Sequence, residues 1–173
     1  MPQDQMNHES RWLSDAEQRS WRAWIAVSLL LPDRLSRDLQ ETAGISLADY
    51  EILVRLSEAP GRRLRMSELA EATLSSRSRL THQVDRLQQA GWVERERCED
   101  DRRGAYAIMT TDGWEFLVRA APAHVASVRA RLVDVLTAEE FAEFGRLCAI
   151  IADDLEAGPT SPVTAYPTSV PQE

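Results

Sequence analysis

Between Ser75 and Arg86 the chain reads SSRSRLTHQVDR, a run of hydroxyl, guanidinium and imidazole side chains with few apolar residues among them. Such groups donate hydrogen bonds to phosphate oxygens and to the acceptor edges of bases, and an arginine matches a guanine edge with two parallel N–H groups. Further on, EDDRRG (99–104) sets Arg102 and Arg103 directly behind Asp101. Paired arginines at a turn also suit phosphate. Catalytic chemistry has no comparable footing. The sequence offers no Ser-His-Asp or Cys-His arrangement, no clustered carboxylates and no phosphate loop, so an enzyme is not expected.

The charge distribution bears on the same question. A formal net charge of −8 argues by itself against nucleic acid. Residues 62–86, however, hold six arginines (62, 63, 65, 77, 79, 86) against three acids (68, 71, 85), a local +3 that leaves −11 on the rest. Every basic residue apart from histidine is arginine, which reads mainly as a genomic composition bias, although arginine suits phosphate and guanine better than lysine does. Cys98 and Cys148 form no pairing motif, as in a reduced, cytoplasmic protein. No apolar run approaches the ~20 residues of a membrane span, and the polar MPQDQMNHESR start has no secretory pattern. No membrane partner is expected.

These residues must be positioned by a mainly helical (α+β) frame. Apolar residues from Trp21 to Leu39 recur near a 3.6 period, predicting a helix from Ser14, with Glu17 closing a capping box, to about Thr42. Pro32 should kink it, and Ala43-Gly44 ends it. A second helix is predicted over about Leu47–Glu58, stopped by APGRR, and a short third starting at Ser67 as N-cap, with Glu68 in its first turn, and running to about Thr73. The Ser75–Arg86 run opens the fourth, which Gly91 closes. The period then changes to two: Val93, Arg95 and Arg97 alternate with Glu94, Glu96 and Cys98, and Tyr106, Ile108 and Thr110 resume after the charged turn, a β-hairpin pattern. A fifth helix follows to about Leu136, bent at Pro122, and Thr137 with Glu140 caps a sixth. The order is α-α-α-α-β-β-α-α. Residues 14–157 read as a single domain, with a flexible tail at 1–13 and a disordered Pro/Ser/Thr-rich tail at 158–173.

On a helical wheel Leu80, Val84 and Leu87 form an inner stripe, while Ser78, His82, Asp85, Arg86 and Gln89 point away and Arg79 lies on one shoulder. Ser75 and Ser76 are N-cap candidates. Taken alone, this also fits an ordinary solvated helix face. A short helix, a tight turn, this helix and an arginine-tipped hairpin follow one another in the order of a winged helix-turn-helix.

At MSELAEATLSSRSRLTHQVDRLQQAGWVERERCEDDRRGAYAIMTTDG the chain resembles the MarR family of bacterial transcription regulators. The matching positions are Ser76-x-Ser78-x-Leu80-Thr81-x-x-Val84-Asp85-Arg86-Leu87, then Gly91-Trp-Val, Asp101-Arg102-Arg103 in the wing and Met109-Thr110-x-x-Gly113. The resemblance covers roughly residues 14–156. It implies an obligate homodimer: helices at about 14–43 and 112–157 interlock into a dimerisation lobe, and winged helix-turn-helix lobes at about 46–111 read a pseudo-palindromic double-stranded DNA site. It further implies a transcriptional repressor released by a small aromatic effector.

On that resemblance the recognition helix contacts DNA through Ser75, Ser76, Arg77, Ser78, Arg79, Thr81, His82 and Arg86. The wing contributes Arg97, Asp101, Arg102 and Arg103, with Asp101 holding the arginines. Glu99 and Asp100 add negative charge beside this wing, where the family more often has one acid and a proline. Candidate effector-pocket residues are Trp12, Trp21, Arg22, Trp24 and Tyr50, although Trp21 and Trp24 also fit plain packing along a helix stripe. No cofactor or metal is expected, since no second His or Cys stands at ligand spacing from His82. His124 reads as a buried or pocket-edge group, Cys148 as core or interface, and Cys98 as a partly exposed passive thiol at the end of the first wing strand. The alternative is a helical protein–protein adaptor that kept the fold and lost DNA binding, which the −8 charge favours.

Overall fold

A computed structural model of the chain describes residues 12–98 and 104–157. Two compact units result, Met1–Arg34 and Leu35–Glu173, with the division inside the first helix. That helix, α1 (Asp15–Ala43), runs through Pro32. The predicted capping box forms at its start: Ser14 N–H donates to the Glu17 carboxylate at 2.8 Å, and Glu17 N–H donates back to Ser14 Oγ. The Ser14 N–H and, after it, the Ser14 hydroxyl, which donates to the same carboxylate at 2.7 Å, hold the Glu17 carboxyl below its ordinary pKa. Gly44, at φ +71, ends the helix in the left-handed conformation that glycine adopts without strain.

The second unit carries the remaining elements: α2 (Leu47–Glu58), β1 (Arg63–Arg65), α3 (Met66–Ala72), α4 (Arg77–Gln89), β2 (Val93–Arg97), β3 (Ala105–Met109), α5 (Thr111–Arg131) and α6 (Ala138–Glu156). The three strands form one antiparallel sheet in the order β1-β3-β2. Around it Ile52, Leu53 and Leu56 of α2, Leu69 of α3 and Leu80, Val84 and Leu87 of α4 are removed from solvent. Each such side chain contributes roughly 1.5–3 kcal/mol. The inner stripe predicted for the fourth helix is therefore what seats it. The result is the predicted mainly helical winged helix-turn-helix.

Three local features differ from expectation. β1 was not foreseen: it lies in the stretch that stops α2, and three residues are too few to display a period of two. It pairs Arg63 with Ile108, Leu64 with Ala107 and Arg65 with Tyr106. α3 begins at Met66 with Arg65 as its N-cap, two residues before the expected cap Ser67, because Arg65 N–H donates to the Glu68 carboxylate at 3.0 Å and closes the first turn there. α5 ends at Arg131, and the expected last turn is a separate 3₁₀ turn at Val133–Val135. Arg131 at that end clamps Asp38 with Nε and Nη2 at 2.5 and 2.6 Å, and Ser127 also donates to Asp38.

The α3–α4 turn has its own chemistry. Ser75 N–H bonds Ala70 C=O at 2.9 Å and Leu74 N–H bonds Glu71 C=O at 3.0 Å. This is the Schellman pattern, whose left-handed position usually takes glycine. Leu74 fills it at φ +48, with its side chain 75% exposed.

Candidate nucleic-acid interface

Helix α4 starts where Ser76 Oγ accepts the Arg79 N–H at 3.2 Å, so the N-cap is the second of the two predicted serines. Ser75, half-buried, donates its hydroxyl to Thr73 C=O at 3.4 Å. Arg77, Ser78, Arg79, Thr81 and His82 all lie exposed on α4. The Thr81 hydroxyl donates to Arg77 C=O at 2.8 Å, one turn back, which leaves its lone pairs outward. The arrangement presents two guanidinium groups, two hydroxyls and an imidazole on a helix whose opposite side is anchored in the core. Such a face can donate to phosphates and base edges without disturbing the fold.

Two arginines on or beside α4 have prior engagements. Arg86 was expected among the DNA-facing residues. Its side chain is 55% exposed, and its guanidinium also grips Asp49 of α2, with Nη2 at 2.7 Å from Oδ1 and 3.0 Å from Oδ2 and Nε at 3.3 Å from Oδ2. The Asp49 side chain is only 10% exposed, and a carboxylate so placed needs a charged partner. Asp49 N–H in turn donates to Ser46 Oγ, the N-cap of α2. Arg95, on β2, reaches α4 from the other side: Nη1 lies 2.6 Å from Asp85 Oδ1 and Nη2 donates to Thr81 C=O at 2.8 Å. Helix α4 is thus braced to α2 through Arg86 and to the hairpin through Thr81 and Asp85. Sequence reasoning missed Arg95, Asp49 and the inward placement of Gln83, which is 4% exposed. Partners 37 residues apart leave no mark in the local pattern.

Of the wing, Arg97 is exposed at the end of β2, opposite Ala105. Asp101, Arg102 and Arg103 lie outside the described residues. Cys98 departs from expectation. It is buried, at 6% exposure, because its N–H is tied to Gly104 C=O at 3.1 Å at the neck of the hairpin. Arg65 was also missed. Its Nε donates to the Tyr106 hydroxyl at 3.2 Å, and this bond first, with the nearby ionisable groups of Tyr106, Cys98 and Glu68, raises its already high pKa.

The proposed effector residues divide between the units. In the first, Trp12 is 87% exposed and Trp21 and Trp24 are 54% and 48% exposed, so neither of the latter is core in the single chain. Arg22 bonds Gln18 Oε1 at 3.3 Å. In the second, Tyr50 is buried, its ring 4.8 Å from that of His124. Burial raises the Tyr50 pKa and lowers that of His124, whose Nδ1 is buried without a hydrogen-bond partner among the described residues. Cys148 is half-buried. Among the described residues no group of three or more His, Cys, Asp or Glu is placed to hold a metal ion, and no helix is long and apolar enough to cross a membrane.

A sheet-backed helix-turn-helix with an exposed polar second helix defines a winged-helix DNA-binding class of fold. The MarR family model matches residues 43–104. AbsC, a MarR family transcriptional regulator from Streptomyces coelicolor, is 47% identical; the match covers 86% of this chain and 100% of that one, with a TM-score of 0.77. Sco3205, a MarR family transcriptional regulator from the same organism solved in complex with DNA, is 47% identical over 88% of this chain and 98% of its own, with a TM-score of 0.79. The transcriptional regulator PecS of Dickeya dadantii is 33% identical over 105 residues, a match spanning 62% of its length and 60% of this chain. The chain belongs to the MarR family, a family of transcriptional regulators and not of enzymes.

Proposed function

We propose that the protein is a cytoplasmic homodimeric regulator that binds a specific pseudo-palindromic double-stranded DNA site and represses transcription by occupying it, and that a small aromatic ligand releases it. The observation that carries DNA binding is the outer face of α4, where Arg77, Ser78, Arg79 and His82 stand exposed above a buried Leu80-Val84-Leu87 stripe. Small hydroxylated residues at the first turn let the helix approach a groove closely, and Arg77 or Arg79 can then meet a guanine edge. The charge rival is answered locally, since the −8 of the whole chain excludes nothing about a segment of +3.

A second copy of the chain is the partner this reading requires. Helix α6 has no buried residue, yet it exposes Leu147, Ile150, Ile151 and Leu155, which recur at helical spacing. The first unit likewise exposes Trp21, Trp24, Val27, Leu29 and Leu30. Apolar stripes of this size are normally covered, and a two-fold dimer covers them with the same stripes. It also sets two α4 helices on one face of a duplex. Ligand release needs only two conformations of that dimer with different affinities for the ligand.

Selection of duplexes from a random pool by the purified protein tests the reading. Enrichment of a two-fold-related sequence, bound by one dimer with strongly salt-dependent affinity, is expected. Recovery of no sequence at low salt, from a protein that is folded and dimeric, refutes it.

A further inference from the structure

A cleft of about 470 Å³ opens between the first turns of α4 and the root of the hairpin. Arg65 of β1, Arg77 and Thr81 of α4, Arg95 of β2, and Gly104 and Ala105 at the start of β3 line it, with Ser67 beside them. Three guanidinium groups converge there, and among the described residues no carboxylate lines the cleft. They differ in how they are engaged. Arg95 forms the back wall, committed to Thr81 C=O and to Asp85. Arg65 is pinned only through Nε, by the Tyr106 hydroxyl, while its guanidinium lies 5.5 Å from the Tyr106 ring centre. Its terminal nitrogens, and the whole guanidinium of Arg77, have no hydrogen-bond or ion-pair partner among the described residues.

We infer that this cleft is a binding site for a backbone phosphodiester of duplex DNA, held by the free ends of Arg65 and Arg77. The inference rests on the reading of α4 as a recognition helix. If α4 lies in a major groove and the hairpin in the adjoining minor groove, then what passes between them is the sugar–phosphate strand that separates the two grooves. Like-charged groups gathered in a cleft repel one another until an anion enters, and a phosphodiester presents two charged oxygens to a pair of guanidinium groups. Tyr106 fixes the inner end of Arg65, so little side-chain freedom is lost when its outer end binds. Arg65 thereby gains a role that no base-reading residue has: it adds affinity for every sequence alike.

The test uses the full chain, a duplex enriched by the wild-type protein and a scrambled duplex of equal length, with affinities measured by fluorescence anisotropy across a sodium chloride series. Arg65→Ala should weaken binding to both duplexes by a similar factor and leave the preferred sequence unchanged. It should also reduce the slope of log K against log salt by about 1 per protomer, the loss of one phosphate contact. Arg65→Lys should restore most of the slope. Tyr106→Phe, which removes the bond and keeps the charge, should preserve it. An Arg65→Ala protein that is folded and dimeric and binds with wild-type affinity and slope overturns the assignment. So does tight binding of inorganic phosphate at constant ionic strength that depends on Arg65 while the DNA slope does not, since the cleft then serves a free anion. If the wild-type protein enriches no duplex, it is the DNA-binding reading itself that fails.

Discussion

Arg86 of α4 holds Asp49 of α2 with two nitrogens on two oxygens, the closest pair at 2.7 Å. The two ends differ in exposure, Asp49 at 10% and Arg86 at 55%. Removing the arginine therefore strands a buried carboxylate, whereas removing the aspartate leaves a cation that water can reach. Arg86→Ala should destabilise the protein by about 1–2 kcal/mol, a buried-pair cost discounted for the exposed partner. Asp49→Asn should cost less, and the double variant less than the sum of the two. Urea unfolding of the four proteins at one concentration measures this, and additivity would show that the pair does not couple.

Gly113, in the first turn of α5, has its Cα against the Trp92 backbone. A methyl group placed there would meet the Trp92 carbonyl oxygen. That oxygen already accepts the Thr110 N–H at 3.1 Å, and Thr110 caps α5 through Gly113 N–H at 3.0 Å. Neither backbone can retreat without breaking a bond of the other. Gly113→Ala should cost roughly 2–3 kcal/mol through overpacking, read as a fall in the denaturation midpoint. An unchanged midpoint would mean that the turn yields freely.

Leu74 is a leucine in a glycine's place. At φ +48 its side chain strains the turn between α3 and α4 and is mostly in solvent, so it recovers little by burial. Leu74→Gly should stabilise the fold by about 1 kcal/mol, the cost of a left-handed L-residue less glycine's greater entropy in the unfolded chain. Differential scanning calorimetry decides the sign, and a lower melting temperature would show that the exposed leucine supports the fold.

His124 gives the stability a pH dependence of predictable sign. Burial against Tyr50 lowers its pKa in the folded protein below its ordinary value of 6.5. Well above that value both folded and unfolded chains carry it neutral, and it contributes no slope. As the pH falls through 6.5 the unfolded chain binds the proton first, so stability declines until the lowered folded-state pKa is passed. His124→Gln should flatten that part of the curve relative to wild type, with His82, exposed in both proteins, cancelling in the comparison. Parallel curves for the two proteins between pH 7.5 and 5 would contradict the assignment.

Much of this was legible in the sequence because it is periodic or local. The Leu80-Val84-Leu87 stripe, the Ser14 and Thr137 capping boxes and the alternation of β2 each declare themselves within a few residues. What was not legible depends on residues distant in the chain. β1 exists only because β3 pairs with it. Arg86 looks outward as the wheel has it, but nothing near it in the chain announces its hold on Asp49. Cys98 alternates with buried Val93 on the hairpin and was expected to be partly exposed, yet the closing of the hairpin neck buries it. Trp21 and Trp24 were the reverse case. Their spacing reads as core, and the single chain leaves them exposed; the period of an apolar stripe does not say whether the chain's own interior or another surface covers it.

Hydroxyl-radical footprinting on an enriched duplex tests the central claim most directly. A dimer that presents two α4 helices to one face of DNA should protect two half-sites with centres about 10 bp apart, related by two-fold symmetry. Flanking minor-groove protection should appear where the two hairpins reach. A single asymmetric patch, or protection that does not depend on Arg77 and Arg79, would contradict the account.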